Sequence, residues 1–194
     1  MEEREITERI CNLFEETVPI LNNIYKGFVR QKINLLKESR AKFRDSLKER
    51  LPGIEKVVEH KDKTEAEQRF VIALPHLQRV ALALDSLLDK MEVKVESNIL
   101  FGDRALEEIQ QLMVAVGAEF TDVKDYCFTK NPVLKKQIAA DMEKVTKMID
   151  EFDHVHQNRL ITGVCMPQAS YLYIDMTDSL KRMARELAAF AERV

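Results

Sequence analysis

Apolar residues recur along this chain at alternating steps of three and four, and the clearest run lies near its end. Tyr173, Met176, Leu180, Met183, Leu187, Phe190 and Val194 keep that spacing, which lines one face of an α-helix. Phe70, Ala73, Leu77, Val80, Leu84, Leu87 and Met91 repeat the same steps. The two runs stand 103 residues apart and match apolar against apolar at all seven places, with Arg182 on Arg79 and Ala184 on Ala81. The same offset carries Ile109 onto Ile6, Met113 onto Ile10, Val116 onto Leu13, Val123 onto Ile20 and Cys127 onto Ile24. Any one amphipathic helix can be slid into phase with another. One offset serving two helix pairs predicts a duplicated three-helix unit.

Helix punctuation predicts six segments. The first runs from near Glu3 to about Lys26, ends around Gly27, and carries Pro19 as a kink. The second spans roughly Phe28 to His60, with Leu51-Pro52-Gly53 as a break or kink. Thr64 followed by Glu67 has the form of a capping box and opens the third, which runs to about Glu96. The fourth opens at Gly102-Asp103 and ends near Thr129. Asn131-Pro132, an N-cap with proline at the first helical position, starts the fifth, which ends near Leu160. Gly163 to Pro167 is a loop, and the sixth helix fills the rest. The expected fold is all-α: two tandem antiparallel three-helix bundle repeats, residues 1–99 and 100–194. Such helices would be roughly 40 Å long and pack at shallow crossing angles.

Composition narrows the classes. With 45% hydrophobic and 32% charged residues, the 194-residue chain can fill a core and solubilise its outside. A net charge of −3 argues against nucleic-acid binding, which calls for a basic surface. The opening MEEREITERI lacks the apolar stretch of a signal peptide. No window approaches the roughly 18 apolar residues of a membrane span. Cys11, Cys127 and Cys165 are odd in number and lack CxxC spacing, which fits a reducing cytoplasm.

Two three-helix repeats of this length resemble the PhoU family of phosphate-uptake regulators. The last helix of each family repeat carries a segment like D-L-E-R-I-G-D. The matching stretches here are His76-Leu77-Gln78-Arg79-Val80-Ala81-Leu82 and Ser179-Leu180-Lys181-Arg182-Met183-Ala184-Arg185. The flanks Arg159-Leu160-Ile161-Thr162-Gly163 and Ser170-Tyr171-Leu172-Tyr173-Ile174-Asp175 are similar to the PhoU-like tail of sodium/phosphate cotransporter relatives. The resemblance implies clustered iron or zinc on carboxylates four residues apart. This sequence departs from it: Gln78 and Leu82 stand there in the first unit, Lys181 and Arg185 in the second. The expectation is therefore no metal and no cofactor at those positions, with Arg79 and Arg182 as the retained motif equivalents.

Other chemistry is sparse. Asp150, Glu151 and His154 form the densest ligand cluster, and Glu151 with His154 makes one E-x-x-H, where di-iron bundles use two. Asp150 and His154 fall on the face opposite the stripe of Val145, Ile149 and Phe152, whereas His156 falls on that stripe and is expected to be a satisfied core histidine. His76 follows Pro75 and reads as a polar filler at a kink. Cys11 and Cys127 lie on apolar stripes and are expected in the core, with Cys165 in the loop. With no phosphate loop or nucleophile elbow, the chain is expected not to be an enzyme.

From Lys26 to Arg50 nine bases face three acids, and from Asp85 to Asp125 ten acids face four bases. Arg30, Lys32, Arg40, Lys42 and Arg44 could dock on an acidic protein or lipid surface, or could steady the bundle from within. The expected function is a cytoplasmic, PhoU-like regulatory adaptor. It would act at the inner face of a membrane by docking on a transporter or sensor, with homodimerisation open. A carboxylate and histidine metal-binding bundle and a scaffold unrelated to phosphate are the alternatives.

Overall fold

The computed structural model describes residues 3–164 and 166–194, and the side chains of all of these but 3 and 52–55. Six helices account for nearly all of them: α1 Glu3–Val29, α2 Ile33–Glu59, α3 Glu65–Glu96, α4 Asp103–Thr129, α5 Pro132–Ile161 and α6 Pro167–Arg193. Among the described residues there is no strand. Cys165 lies outside the described residues.

Local chemistry explains most helix ends. At the start of α3 the Thr64 hydroxyl accepts from the Glu67 amide at 3.2 Å, and the Glu67 carboxylate accepts from the Thr64 amide at 2.9 Å. Asn131 caps α5 by accepting from the Val133 amide at 2.9 Å, with Pro132 at the first helical position. The α5 exit turns on Gly163 at φ 71°, and the Val164 amide donates back to the Arg159 carbonyl at 3.0 Å.

Two sequence expectations need correction. Gly27 does not end α1, which runs on to Val29, and α2 begins at Ile33 and not near Phe28. Gly27 is instead a crossing point: a Cβ there would lie 3.0 Å from Leu36 Cδ2 and 3.3 Å from the Leu36 amide nitrogen. The turn falls at Gln31, with φ 53°. Nor does α2 break at Leu51-Pro52-Gly53, since one helix runs through to Glu59. Its buried residues Leu36, Phe43 and Val57 keep heptad spacing across that stretch, so packing overrides the local signal.

The helices α1, α3, α4 and α6 form the interior, with α1 against α4 and α3 against α6. α2 covers α1 and α3 on one side, and α5 covers α4 and α6 on the other. One continuous apolar cluster runs through all six. Burial follows the 103-residue offset. Ile6, Ile10, Leu13, Ile20 and Ile24 are buried, and so are Ile109, Met113, Val116, Val123 and Cys127. Phe70, Ala73, Leu77, Val80, Leu84 and Leu87 are matched by buried Tyr173, Met176, Leu180, Met183, Leu187 and Phe190.

α3 also corrects the expectation that no window approaches a membrane span. It contains an 18-residue window of mean hydropathy 1.3, long and apolar enough to cross a bilayer by length and composition. A helix that packs against α1, α2 and α6 needs a broad apolar face and passes the same test, although Ile72, Leu82 and Val93 stay exposed.

Candidate functional site

The structure scatters most of the residues singled out from the sequence. Gln78, Leu82 and Arg185 are exposed, and Lys181 is half-buried with its Nζ 2.7 Å from Asp150 Oδ1. Arg79 reaches Glu186 at 3.5 Å across the α3–α6 seam, whereas Arg182 faces solvent. Asp150, Glu151 and His154 are all exposed. Among the described residues no three His, Cys, Asp or Glu side chains converge as metal ligands. Cys11 and Cys127 are buried free thiols, each pushed up to about 12 chiefly by burial. His76 is no mere filler, since its Nδ1 lies 2.7 Å from Glu186 and ties α3 to α6.

The basic residues of α2 divide in two. Arg40 contacts Asp89 at 2.6 Å and Glu92 at 3.1 Å, Arg44 contacts Asp85 at 2.9 Å, and Lys37 contacts Glu96 at 2.7 Å. These acids all belong to α3, so this part of the charge asymmetry is spent inside the molecule. Arg30 and Lys32, in the α1–α2 turn, and Lys42 are exposed.

A denser polar assembly lies where α4, α5 and α6 meet near the α3–α4 and α5–α6 connections. Glu108 on α4 is fully buried. One oxygen accepts from Arg104 Nε at 2.9 Å, and the other accepts from Arg159 Nη2 at 2.8 Å and from the Tyr173 hydroxyl at 2.7 Å. A buried carboxylate survives only with such partners. The His156 ring stacks on Tyr173 at 4.6 Å between centroids, and Arg159 Nη2 donates to His156 Nδ1 at 3.4 Å. Burial first, and the Arg159 charge second, push the His156 pKa down and favour the neutral ring. Burial, reinforced by Glu108, pushes the Tyr173 pKa up and keeps its hydroxyl a donor.

The assembly floors a cavity of about 360 Å³. Leu100, Phe101, Val164 and Met166 give it an apolar wall, and the first turns of α4 and α6 open onto it. Neither helix has a side-chain N-cap. His156 was expected to be satisfied, and this is a correction: its Nε2 has no hydrogen-bond partner, and neither has the Ser170 hydroxyl. Both residues are 4% exposed and both line the cavity. Behind Phe101, the Lys94 ammonium lies 5.1 Å from the Phe28 ring centre and 5.7 Å from that of Phe101, and burial lowers its pKa. Hydrogen-bond donors, positive charge and an apolar wall suit this place to binding a ligand.

A second buried acid has no such support. Glu119 on α4 is fully buried, and neither of its carboxylate oxygens has a hydrogen-bond partner. Burial, aided by Asp141 and Asp122, raises its pKa to about 9, so it holds its proton at neutral pH.

Neither Glu108 nor Glu119 was singled out from the sequence, yet a signal existed. Glu108, Leu112, Val116, Glu119, Val123 and Tyr126 follow one another at steps of four and three, so both acids stand in an otherwise apolar stripe. Arg104 stands one turn before Glu108, but its other two partners lie 51 and 65 residues away and leave no local mark. No protein-family model, curated protein or solved structure matches this chain.

Proposed function

We propose that the chain is a non-enzymatic regulatory adaptor built as two PhoU-like three-helix repeats, and that it acts in the control of phosphate uptake. One observation carries the reading: buried positions recur at a single offset through both helix pairs, and the paired helices pack on one another, α1 on α4 and α3 on α6. That pattern supports duplication of one helical unit, and the resemblance at Leu77-Gln78-Arg79 and Leu180-Lys181-Arg182 points to the family. Neutral or positive side chains at Gln78, Leu82, Lys181 and Arg185 favour a metal-free member, because cations would be repelled or left without ligands. Docking on a cytoplasmic face of a membrane transporter or sensor is then the mode of action, with exposed Arg30, Lys32 and Lys42 available to an acidic partner.

The test is deletion of the gene in its own organism, with phosphate uptake measured under phosphate excess. The reading expects uptake to escape repression and to return when the gene is restored. Unchanged uptake and an unchanged starvation response would favour a scaffold unrelated to phosphate. Stoichiometric iron, zinc or manganese in the purified protein, lost on Glu151→Ala and His154→Ala, would favour the metal-binding alternative.

A further inference from the structure

We propose that the end of the bundle carrying the α1–α2, α3–α4 and α5–α6 connections docks on an anionic lipid bilayer, with its apolar loop tips entering the headgroup layer. The proposal holds with or without a role in phosphate uptake.

The antiparallel run of the helices puts these three connections at one end. Aromatic contacts tie them together there. The ring of Phe28, in the last turn of α1, lies 5.7 Å from that of Phe101 in the α3–α4 connection, and Phe101 lies 6.4 Å from Tyr173 in the second turn of α6. Above this platform stand large apolar side chains that the fold leaves in water. Ile161 is 83% exposed, Val164 75%, Met166 68% and Leu100 63%. Leu100, Val164 and Met166 border one cavity, so they form one patch across two connections. A single exposed aliphatic side chain is ordinary, but a patch of them marks a surface that something covers.

Charge selects what covers it. This end is positive, although the chain as a whole carries −3. The connections and the helical turn on either side of each hold Lys26, Arg30, Lys32, Lys94, Arg104 and Arg159 against Glu96 and Asp103. One turn deeper, Lys37, Arg40 and Lys90 stand against Glu38, Asp89, Glu92, Glu107 and Glu108, and the balance stays positive. Glu108 takes up Arg104 and Arg159, and Lys94 is buried. Lys26, Arg30 and Lys32 are exposed, and among the described residues none of the three is ion-paired. The opposite end also exposes two large apolar side chains, Phe128 and Val133, but there exposed Glu59, Asp62, Glu65 and Glu192 stand among the bases.

Apolar tips beside unpaired bases match a surface that is negative at its face and apolar beneath. A few partly inserted side chains hold a protein to a bilayer weakly, and the bases add the attraction they lack. A second copy of the chain would bring one positive end against another. A partner protein would need a pocket for each loop tip, whereas a fluid bilayer needs no such fit.

Co-sedimentation of the full chain with phosphatidylcholine vesicles, with and without about one-third phosphatidylglycerol, tests this. Binding should require the anionic lipid and fall at least about tenfold between low and high salt. Ile161→Glu with Val164→Glu, both at exposed sites away from the core, should weaken it about tenfold or more. Arg30→Glu with Lys32→Glu should do the same. Val133→Glu, at the other end, should leave binding unchanged. The chain has no tryptophan, so Val164→Trp adds a single reporter. Its emission should shift to the blue on anionic vesicles, and that of Val133→Trp should not. No binding to anionic vesicles, binding indifferent to either pair of substitutions, or a blue shift at Val133→Trp would each overturn the proposal. Self-association in lipid-free buffer that the Ile161 and Val164 pair abolishes would overturn it too, by assigning the patch to a second copy.

Discussion

Glu16 on α1 and Glu119 on α4 stand 103 residues apart, and their fates differ. Glu16 is tied to α2, with Arg50 at 2.5 Å and the Ser46 hydroxyl also bonded to it. Burial pushes its pKa up, but Ser46 and Arg50 outweigh this and bring it below the usual range. The positions on α5 that correspond to Ser46 and Arg50 are Ile149 and Asp153, so Glu119 has lost its hydroxyl and its cation. It is buried deeper than Glu16 and is neutral. The same contrast holds at the helix starts, where Glu67 caps α3 and Ser170 leaves α6 open, and at Glu5, which is exposed where Glu108 is buried. Apolar seams set how the six helices pack. Polar insertions into those seams diverged between the halves, and most of the unpartnered buried polar atoms fall in α4–α6.

The comparison breaks most visibly at Arg159. Arg159→Met removes a main partner of buried Glu108 and should cost roughly 3–5 kcal/mol of stability. Lys56→Met, at the corresponding exposed position of α2, should stay within about 0.5 kcal/mol. Urea unfolding at pH 7 measures both, and a cost below about 1 kcal/mol at Arg159 would show that Glu108 does not depend on it.

Glu119 and Glu16 give opposite signs. The folded Glu119 pKa of about 9 lies above the ordinary value of 4.5, so the native state holds a proton that the unfolded state gives up. Stability is full below the unfolded value and drains as pH rises toward about 9. Glu119→Gln should therefore stabilise at pH 7, by roughly 1–3 kcal/mol, and flatten the alkaline limb of a pH–stability profile. At Glu16 the folded pKa is lowered, so its contribution is present at neutral pH and fades as pH falls below the unfolded value. Glu16→Gln should destabilise at pH 7, by less than about 1 kcal/mol because the pair is half-exposed. Equal signs in thermal melts of the two variants would erase the distinction.

Smaller effects sharpen the picture at the helix starts and on α2. Thr64→Ala should cost about 1 kcal/mol through the lost cap, while Ser170→Ala, which removes an unpartnered hydroxyl, should cost less than about 0.5 kcal/mol. Arg44→Ala should cost less than about 1 kcal/mol, an effect that shrinks in high salt, and Lys42→Ala almost nothing. Thermal melts in low and high salt read these changes.

The fold was legible because period and punctuation are local. Tyr173 to Phe190 named the α6 face, Thr64 with Glu67 named the start of α3, and Asn131-Pro132 named that of α5. Gly27 misled because a glycine that lets a neighbouring helix approach looks the same in sequence as one that ends a helix. The cavity was not legible. It depends on Glu108, Arg159 and Tyr173 meeting across three helices, and on His156 being buried without an acceptor, neither of which spacing records.

The most direct measurement follows the side-chain carboxyl carbons of Glu119 and Glu16 by NMR in the ¹³C-labelled chain as pH is raised. Glu119 should stay protonated through neutral pH and titrate near 9, while Glu16 titrates below the usual carboxylate range. Both carboxyls titrating together in the usual carboxylate range would contradict the account.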